Sequence, residues 1–211
     1  MSTRTYRSPL REAEAAATRT RIVEAAARLF VRDGYVATSM KAIAAEAGVS
    51  VPTAHLHGPK HGLLIAAFER TFAGDEGRHS LSERPAMLEI IREPDTDVAL
   101  AKYAGFLASA NERAAPLLHV LALAADADEG ARAAYLDLEE RRQRDMVLGA
   151  GFFVQRGLVR PERQEWAAAV LGVVTGPDAY LQLVETSGWT RETYETWLVD
   201  ALHDLIRHGS E

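Results

Sequence analysis

Apolar positions recur along this chain at helical spacing. Ile22, Ala26, Leu29 and Phe30 fall at i, i+4, i+7 and i+8, one face of a helix over about residues 18–32. Asp33-Gly34 closes it, glycine supplying the left-handed backbone that helix ends favour. Tyr194, Trp197, Leu198, Ala201, Leu202 and Leu205 repeat the pattern near the other end, behind a capping threonine in Thr190-Arg-Glu-Thr193. Between them Pro85, Pro94, Pro116, Pro161 and Pro177 cut the chain into helix-length blocks, as residues tolerated in a first turn and disruptive inside. Residues 98–108 and 117–125 are apolar nearly all round, which predicts buried helices of a bundle. No segment alternates apolar and polar residues as a half-buried strand would. The pattern predicts an all-α protein.

The stretch from Thr38 to Thr53 reads as two short helices about a sharp turn. Thr38 or Ser39 can cap a helix whose apolar face is Met40, Ile43, Ala44 and Ala47. Gly48 turns the chain, Val49 plugs the angle, and Ser50 caps a second helix with Pro52 in its first turn. Such a helix-turn-helix places its second helix in the DNA major groove; an ordinary corner between packed helices has the same pattern.

Charge bears on that choice. Over 211 residues the formal net charge is −6, which by itself opposes nucleic-acid binding. The first 60 residues nevertheless carry nine basic against five acidic side chains, net +4, and the remainder fifteen against twenty-five, net −10. Residues 1–17 hold three arginines among small residues, either a flexible basic arm or a start without a role. With no cysteine there is no disulfide framework and no thiol nucleophile. No signal sequence and no bilayer-length apolar run is read in the chain, which makes cytoplasmic the expected location. Paired catalytic carboxylates, Gly-rich phosphate loops and nucleophile motifs are missing, so no enzyme activity and no cofactor is expected. His55, His57 and His61 form H-x-H-x3-H, but the first two diverge by about 200° on a helix and make a poor metal site.

From Thr20 to Leu64 the chain resembles the tetracycline-repressor (TetR) family of transcription regulators. The matching residues are Ile22, Ala25-Ala26, Leu29-Phe30, Gly34, Thr38-Ser39, Ile43-Ala44, Ala47-Gly-Val-Ser50, Thr53, Lys60 and Leu63-Leu64. Thr175-Gly-Pro-Asp-Ala-Tyr180, Gly188-Trp189-Thr190 and Tyr194-Glu-x-Trp197-Leu198 are similar to the C-terminal domain of an actinobacterial subgroup. The resemblance implies a three-helix DNA-binding domain at 18–60, a ligand-binding and dimerisation domain at 61–211, and a connecting helix at 61–73. It departs from the family in one place: His55 stands where the family has tyrosine, and no phenylalanine follows His57.

The resemblance and the motif together give candidate sites. Residues 51–57 would read bases, with Val51 and Pro52 limited to apolar contact. Thr53 could meet a base edge, a phosphate or a thymine methyl, and His55 a guanine or the backbone. Ser50 would cap the reading helix. Thr38, Lys41, His57 and Lys60 would hold phosphates, Lys60 matching the family's phosphate-contacting lysine. An effector cavity is implied among Tyr103, Phe106, Leu107, Leu118, Leu121, Met146, Phe152 and Phe153, residues equally at home in a dry core. Asn111, His119 and Tyr135 are the polar candidates within it. The run Glu139–Asp145 reads as a solvated face. Helices over 163–176 and 191–207 would pair two copies through Trp166, Val170, Leu171, Val174, Trp197, Leu198, Ala201 and Leu205. The implied function is a homodimeric repressor released from an inverted-repeat operator by a small molecule. The alternative is a similar helical dimer that binds ligand or protein with little or no specific DNA binding.

Overall fold

The computed structural model describes residues 9–74, 76 and 80–211. Among them are ten α-helices and no strand. Helix α1, Pro9–Ala37, breaks where the sequence predicts, at Gly34 with φ 77°. Its predicted stripe of Ile22, Ala26, Leu29 and Phe30 is buried, joined by Val23 and Ala25. Of the expected basic arm, residues 1–8 lie outside the described residues; residues 9–17 are not a flexible arm but the first turns of α1, with 11–17 exposed.

Helix α2, Met40–Glu46, is capped by the Ser39 hydroxyl, which accepts from the Ala42 N–H at 3.1 Å. Gly48, at φ 67°, turns the chain. Helix α3, Val51–Leu56, is capped by Ser50 accepting from the Thr53 N–H at 3.2 Å. Helix α4, Lys60–Ala73, ends on left-handed Gly74. Helices α1 and α4 then lie against the middle of α6, Thr96–Ala127, a rod roughly 48 Å long at 1.5 Å per residue. Ala114, Leu117, Leu118 and Leu121 of α6 complete a core begun by Ile22, Phe30, Leu63 and Leu64. That core runs on across residue 60, the boundary expected from sequence.

The second core joins the N-terminal half of α6 to α7, Glu129–Gln155, α8, Gln164–Val174, and α10, Arg191–Ser210. Short α5, Pro85–Arg92, lies along α6, and α9, Pro177–Tyr180, leads into a π-helical turn over Leu181–Thr186. Thr190 caps α10 as predicted. Pro85 and Pro177 open helices, while Pro116 sits inside α6. Asn111 of α6 is fully buried, its amide donating to the Thr175 carbonyl at 3.2 Å and to the Tyr194 hydroxyl at 3.3 Å. No single helix among the described residues is long and apolar enough to cross a membrane.

Asp128 links α6 and α7. Its carboxylate accepts from the Ala131 N–H at 2.8 Å and caps α7. That backbone donor, opposed by desolvation and helped by Tyr35, His61 and Lys60, holds the carboxyl below the ordinary aspartate value. A depressed carboxyl contributes stability that is present above its unfolded pKa and is lost as pH falls through the folded value. Asp128→Ala is therefore expected to cost about 1 kcal/mol near neutral pH. In urea unfolding at a series of pH values, the gap from the parent should close as that depressed pKa is crossed.

Candidate nucleic-acid interface and ligand chambers

Helix α3 turns one face inward and leaves the other bare. Ala54 is fully buried, whereas Val51, Pro52, His55 and Leu56 are exposed, Leu56 at 86%. Ser50 and Lys41 are exposed beside this face. Thr53 is half-buried, its hydroxyl 2.7 Å from that of Ser50. His57 is half-buried too, and its carbonyl accepts from the Arg19 guanidinium at 2.6 Å, which pins the end of α3 to α1.

Two expected phosphate contacts look different in place. Thr38 is only 2% exposed, and its hydroxyl donates to the Gly34 carbonyl at 2.7 Å. It secures the turn after α1, so it is withdrawn as a phosphate contact. Lys60 is half-buried, its Nζ donating to the Tyr35 carbonyl at 3.0 Å and lying 4.0 Å from the centre of the Tyr35 ring. An ammonium has three donors, so this bond leaves others for a second acceptor. The missing phenylalanine has a backbone reason. Gly58 follows His57 at φ 132°, a conformation that side-chain-bearing residues rarely adopt.

Helix α4, behind the helix-turn-helix, meets the body at a polar joint. His61 Nδ1 of α4 lies 3.7 Å from the Asp128 carboxylate, so the third histidine of the H-x-H-x3-H run faces an acid on α7's cap. Burial, with Asp128 adding to it, pushes the Tyr35 phenol up.

Two cavities of about 90 Å³ each flank the N-terminal half of α6. The first lies among α4, α6 and α7, where Phe68, Glu69 and Phe72 of α4 face Leu107, Arg141 and Thr175. The second is walled by Met87 and Ile90 of α5, Leu100 of α6, and Phe152 and Phe153 of α7. Leu81, Tyr103, Asp145 and Met146 line both. Burial pushes the Tyr103 phenol up to about 12, which keeps it neutral at physiological pH.

Of the residues expected to face an effector, Tyr103, Leu107, Met146, Phe152 and Phe153 line these cavities. Six do not. Leu118 and Leu121 belong to the first core. Phe106 packs edge-on to Phe72 in the core, with 6.4 Å between ring centres. Asn111 is taken up in its buried bridge, His119 is exposed on the outer side of α6, and Tyr135 packs against the first core. The charged run 139–145 is not simply solvated. Arg141 is 14% exposed and bonds Glu69 of α4 at 2.8 Å, and Arg142 and Asp145 also line the first cavity. Sequence reading missed Glu69, Arg141 and Asp145; the one signal was that 138, 141, 142, 145 and 146 share a helix face.

The expected dimer stripes also divide. Leu171, Leu198 and Leu205 are at most 2% exposed and belong to the protomer's own core. They are corrected to intramolecular residues, because α8 packs on α7 and α10, and α10 packs on α6. Trp166, Val170, Val174, Trp197 and Ala201 are half-buried, and Val173 on α8 is 72% exposed.

Residues 22–66 match the model of the bacterial regulatory proteins of the tetR family, the segment that holds α2, α3 and most of α1. Among solved structures, the chain is similar to a candidate TetR-family transcriptional regulator from Mesorhizobium loti. The TM-score is 0.70 at 20% identity, over 92% of this chain and 97% of that one. A candidate transcriptional regulator from Pseudomonas aeruginosa PAO1 gives 0.68 at 17% identity, over 90% of each chain. A comparison with curated proteins finds no match. The helix-turn-helix segment is thus of the tetR type, and the fold of the whole chain is that of the two solved regulators.

The joint offers a direct test. A Cβ on Gly130 would lie 2.4 Å from the His61 ring, so Gly130→Ala must expel the imidazole from its place beside Asp128. The expected cost is about 1–3 kcal/mol. Gly130→Ala with His61→Ala should recover most of that loss relative to His61→Ala alone, read as a double-mutant cycle in thermal unfolding.

Proposed function

We propose that the chain is a ligand-responsive transcriptional regulator that binds operator DNA as a homodimer and releases it when a small molecule occupies the cavities beside α6. Helix α4 carries this reading. Its Leu63 and Leu64 complete the core behind the helix-turn-helix, and its Phe68, Glu69 and Phe72 wall the first cavity. A ligand there touches the helix on which the DNA-binding unit is mounted.

On DNA, Lys41 and the spare donors of Lys60 would hold phosphates, with His57 near them, and the Ser50 end of α3 would approach the backbone. Val51, Pro52 and Leu56 present apolar groups suited to thymine methyls, and Thr53 and His55 supply the polar contacts. Two copies would pair through the half-buried and exposed apolar residues of α8 with Trp197 and Ala201 of α10. Their α3 helices would then meet half-sites one turn apart in an inverted repeat. Repression is the output we favour, and no catalysis is assigned. The Thr175–Tyr180 and Gly188–Thr190 motifs support reading the C-terminal half as that of the actinobacterial subgroup.

One arrangement favours the second reading, a ligand- or protein-binding dimer without specific DNA binding. His55 and Gly58 replace two aromatics, and Lys60 already spends one donor on Tyr35.

A gel shift with DNA flanking the protein's own gene separates the two. The regulator should shift a flanking fragment at low salt; no shift with any fragment sinks this reading and leaves the second. Leu56→Ala should weaken the specific complex roughly three- to tenfold and leave non-specific binding unchanged, as expected for methyl contacts. Lys41→Ala should weaken both alike and reduce the salt slope by about one.

A further inference from the structure

The cavity between α5, α6 and α7 differs from its neighbour in one respect. Among the described residues lining it, Asp145 is the single charged side chain. The rest is Met87, Ile90, Leu100, Phe152, Phe153 and similar apolar surface, with Tyr103 and Ser82 as the polar exceptions. The other charged side chains facing the adjoining cavity are bonded to protein groups. Arg141 lies 2.8 Å from Glu69 and 3.1 Å from Asp137, Arg142 lies 2.6 Å from Glu139, and Arg84 donates to the Ala73 carbonyl at 3.2 Å. Asp145 instead accepts from two neutral donors, the Ser80 hydroxyl at 2.5 Å and the Leu81 N–H at 3.2 Å. It stands on the wall common to both cavities, among the described residues with no cationic side chain bonded to it, and a carboxylate's two oxygens have about four acceptor positions.

We propose that this site takes an apolar organic monocation, a protonated amine on an aromatic or aliphatic body, with Asp145 as its counter-charge. The proposal deepens the regulatory reading, since it names the chemical class of the effector.

The reasoning is electrostatic. A carboxylate in apolar surroundings lacks the solvation it has in water, and an incoming cation restores it with a charge-assisted hydrogen bond. An anion would meet Asp145 at close range and be repelled, while Arg84, Arg141 and Arg142 of the adjoining cavity are already engaged by protein groups. A neutral alcohol could donate to Asp145 but leaves its charge uncompensated. Tyr103, neutral at physiological pH, adds an aromatic wall at the junction, and Phe152 and Phe153 form another. Aromatic faces attract cations through their quadrupoles. Each cavity alone is smaller than the roughly 150 Å³ that holds benzene in an apolar core. A phenyl-sized body therefore needs both spaces, joined by movement of Tyr103 or Leu81.

The test uses three probes of one shape: 2-phenylethylammonium, 2-phenylethanol and phenylacetate. Binding to the full chain is measured by calorimetry and by the shift in thermal unfolding, without DNA. The cation should bind at least tenfold tighter than the alcohol, and phenylacetate most weakly. Asp145→Asn should remove that tenfold advantage and leave alcohol binding unchanged, which also shows that the variant keeps its fold. Equal binding of cation and alcohol by the unaltered protein, or a cation preference that survives Asp145→Asn, overturns the proposal. The regulatory reading fails separately. If the cation binds through Asp145 and a shifted DNA fragment is not released, the site stands and its regulatory role falls. If DNA is bound and the cation is not preferred, the ligand class falls alone.

Discussion

Helix α6 is the constraint on which the rest of the molecule depends. One 32-residue rod supplies Leu117, Leu118 and Leu121 to the core behind the helix-turn-helix and Leu100, Ala104 and Leu107 to the core of the body. Neither core closes without it. Burial of these side chains at about 25 cal/mol per Å² of apolar surface fixes α1 and α4 to the same rod that walls both cavities. The helix-turn-helix therefore does not ride on a loose linker. Any movement of α4 relative to α1 has to repack Leu63, Leu64 and Phe68, and close-packed interiors resist gradual deformation in favour of discrete alternatives.

Sequence carried the fold well where one face of a helix decided it. The Ile22–Phe30 stripe, the Gly34 stop, the Ser50 cap and the Thr190 cap all depend on local chemistry that a window of a few residues contains. It carried the site less well, because facing a cavity is a property of three or four helices together. Leu171, Leu198 and Leu205 sit on stripes that look suited to a partner, yet the protomer's own α6, α7, α8 and α10 cover them between them. His119 interrupts an apolar run and looks placed for a ligand. The burying face of α6 there is spent on α1 and α4, leaving His119 outside with Leu123. Arg141 and Asp145 failed in the opposite sense. In a run of alternating charges they read as solvated, and only the approach of α4 turns that face inward.

The charge distribution narrows in the same way. The +4 of the first 60 residues is less available to DNA than its count suggests. Arg19 is bonded to Glu76, Arg28 to Glu46 and Arg32 to Asp33, and Lys60 spends one donor on Tyr35. Among the described residues Lys41 remains an exposed cation of the helix-turn-helix, with Arg11 and Arg21 exposed on α1. Affinity that grows with phosphate contacts should then be modest. Discrimination would fall to the bare apolar edge of α3, where an exposed leucine costs solvation unless something covers it.

Regulation needs more than a filled cavity. A ligand with equal affinity for both arrangements of α4 shifts nothing, however tightly it binds. Moving a population from 99:1 to 1:99 takes about 10⁴-fold differential affinity, roughly 5.5 kcal/mol. In the proposed regulation the Glu69–Arg141 pair would make that difference. It joins α4 to α7 at the wall of the first cavity, with both side chains less than 15% exposed. Breaking a pair so shielded gives up a charge-assisted hydrogen bond, although Arg141 keeps Asp137 at 3.1 Å, whereas keeping it holds α4 in place. A ligand that fits only after α4 has moved must offset that cost, and one that fits beside the intact pair moves nothing. Two protomers joined across α8 and α10 would share the burden, since displacing one α3 from its half-site also spoils the register of the other.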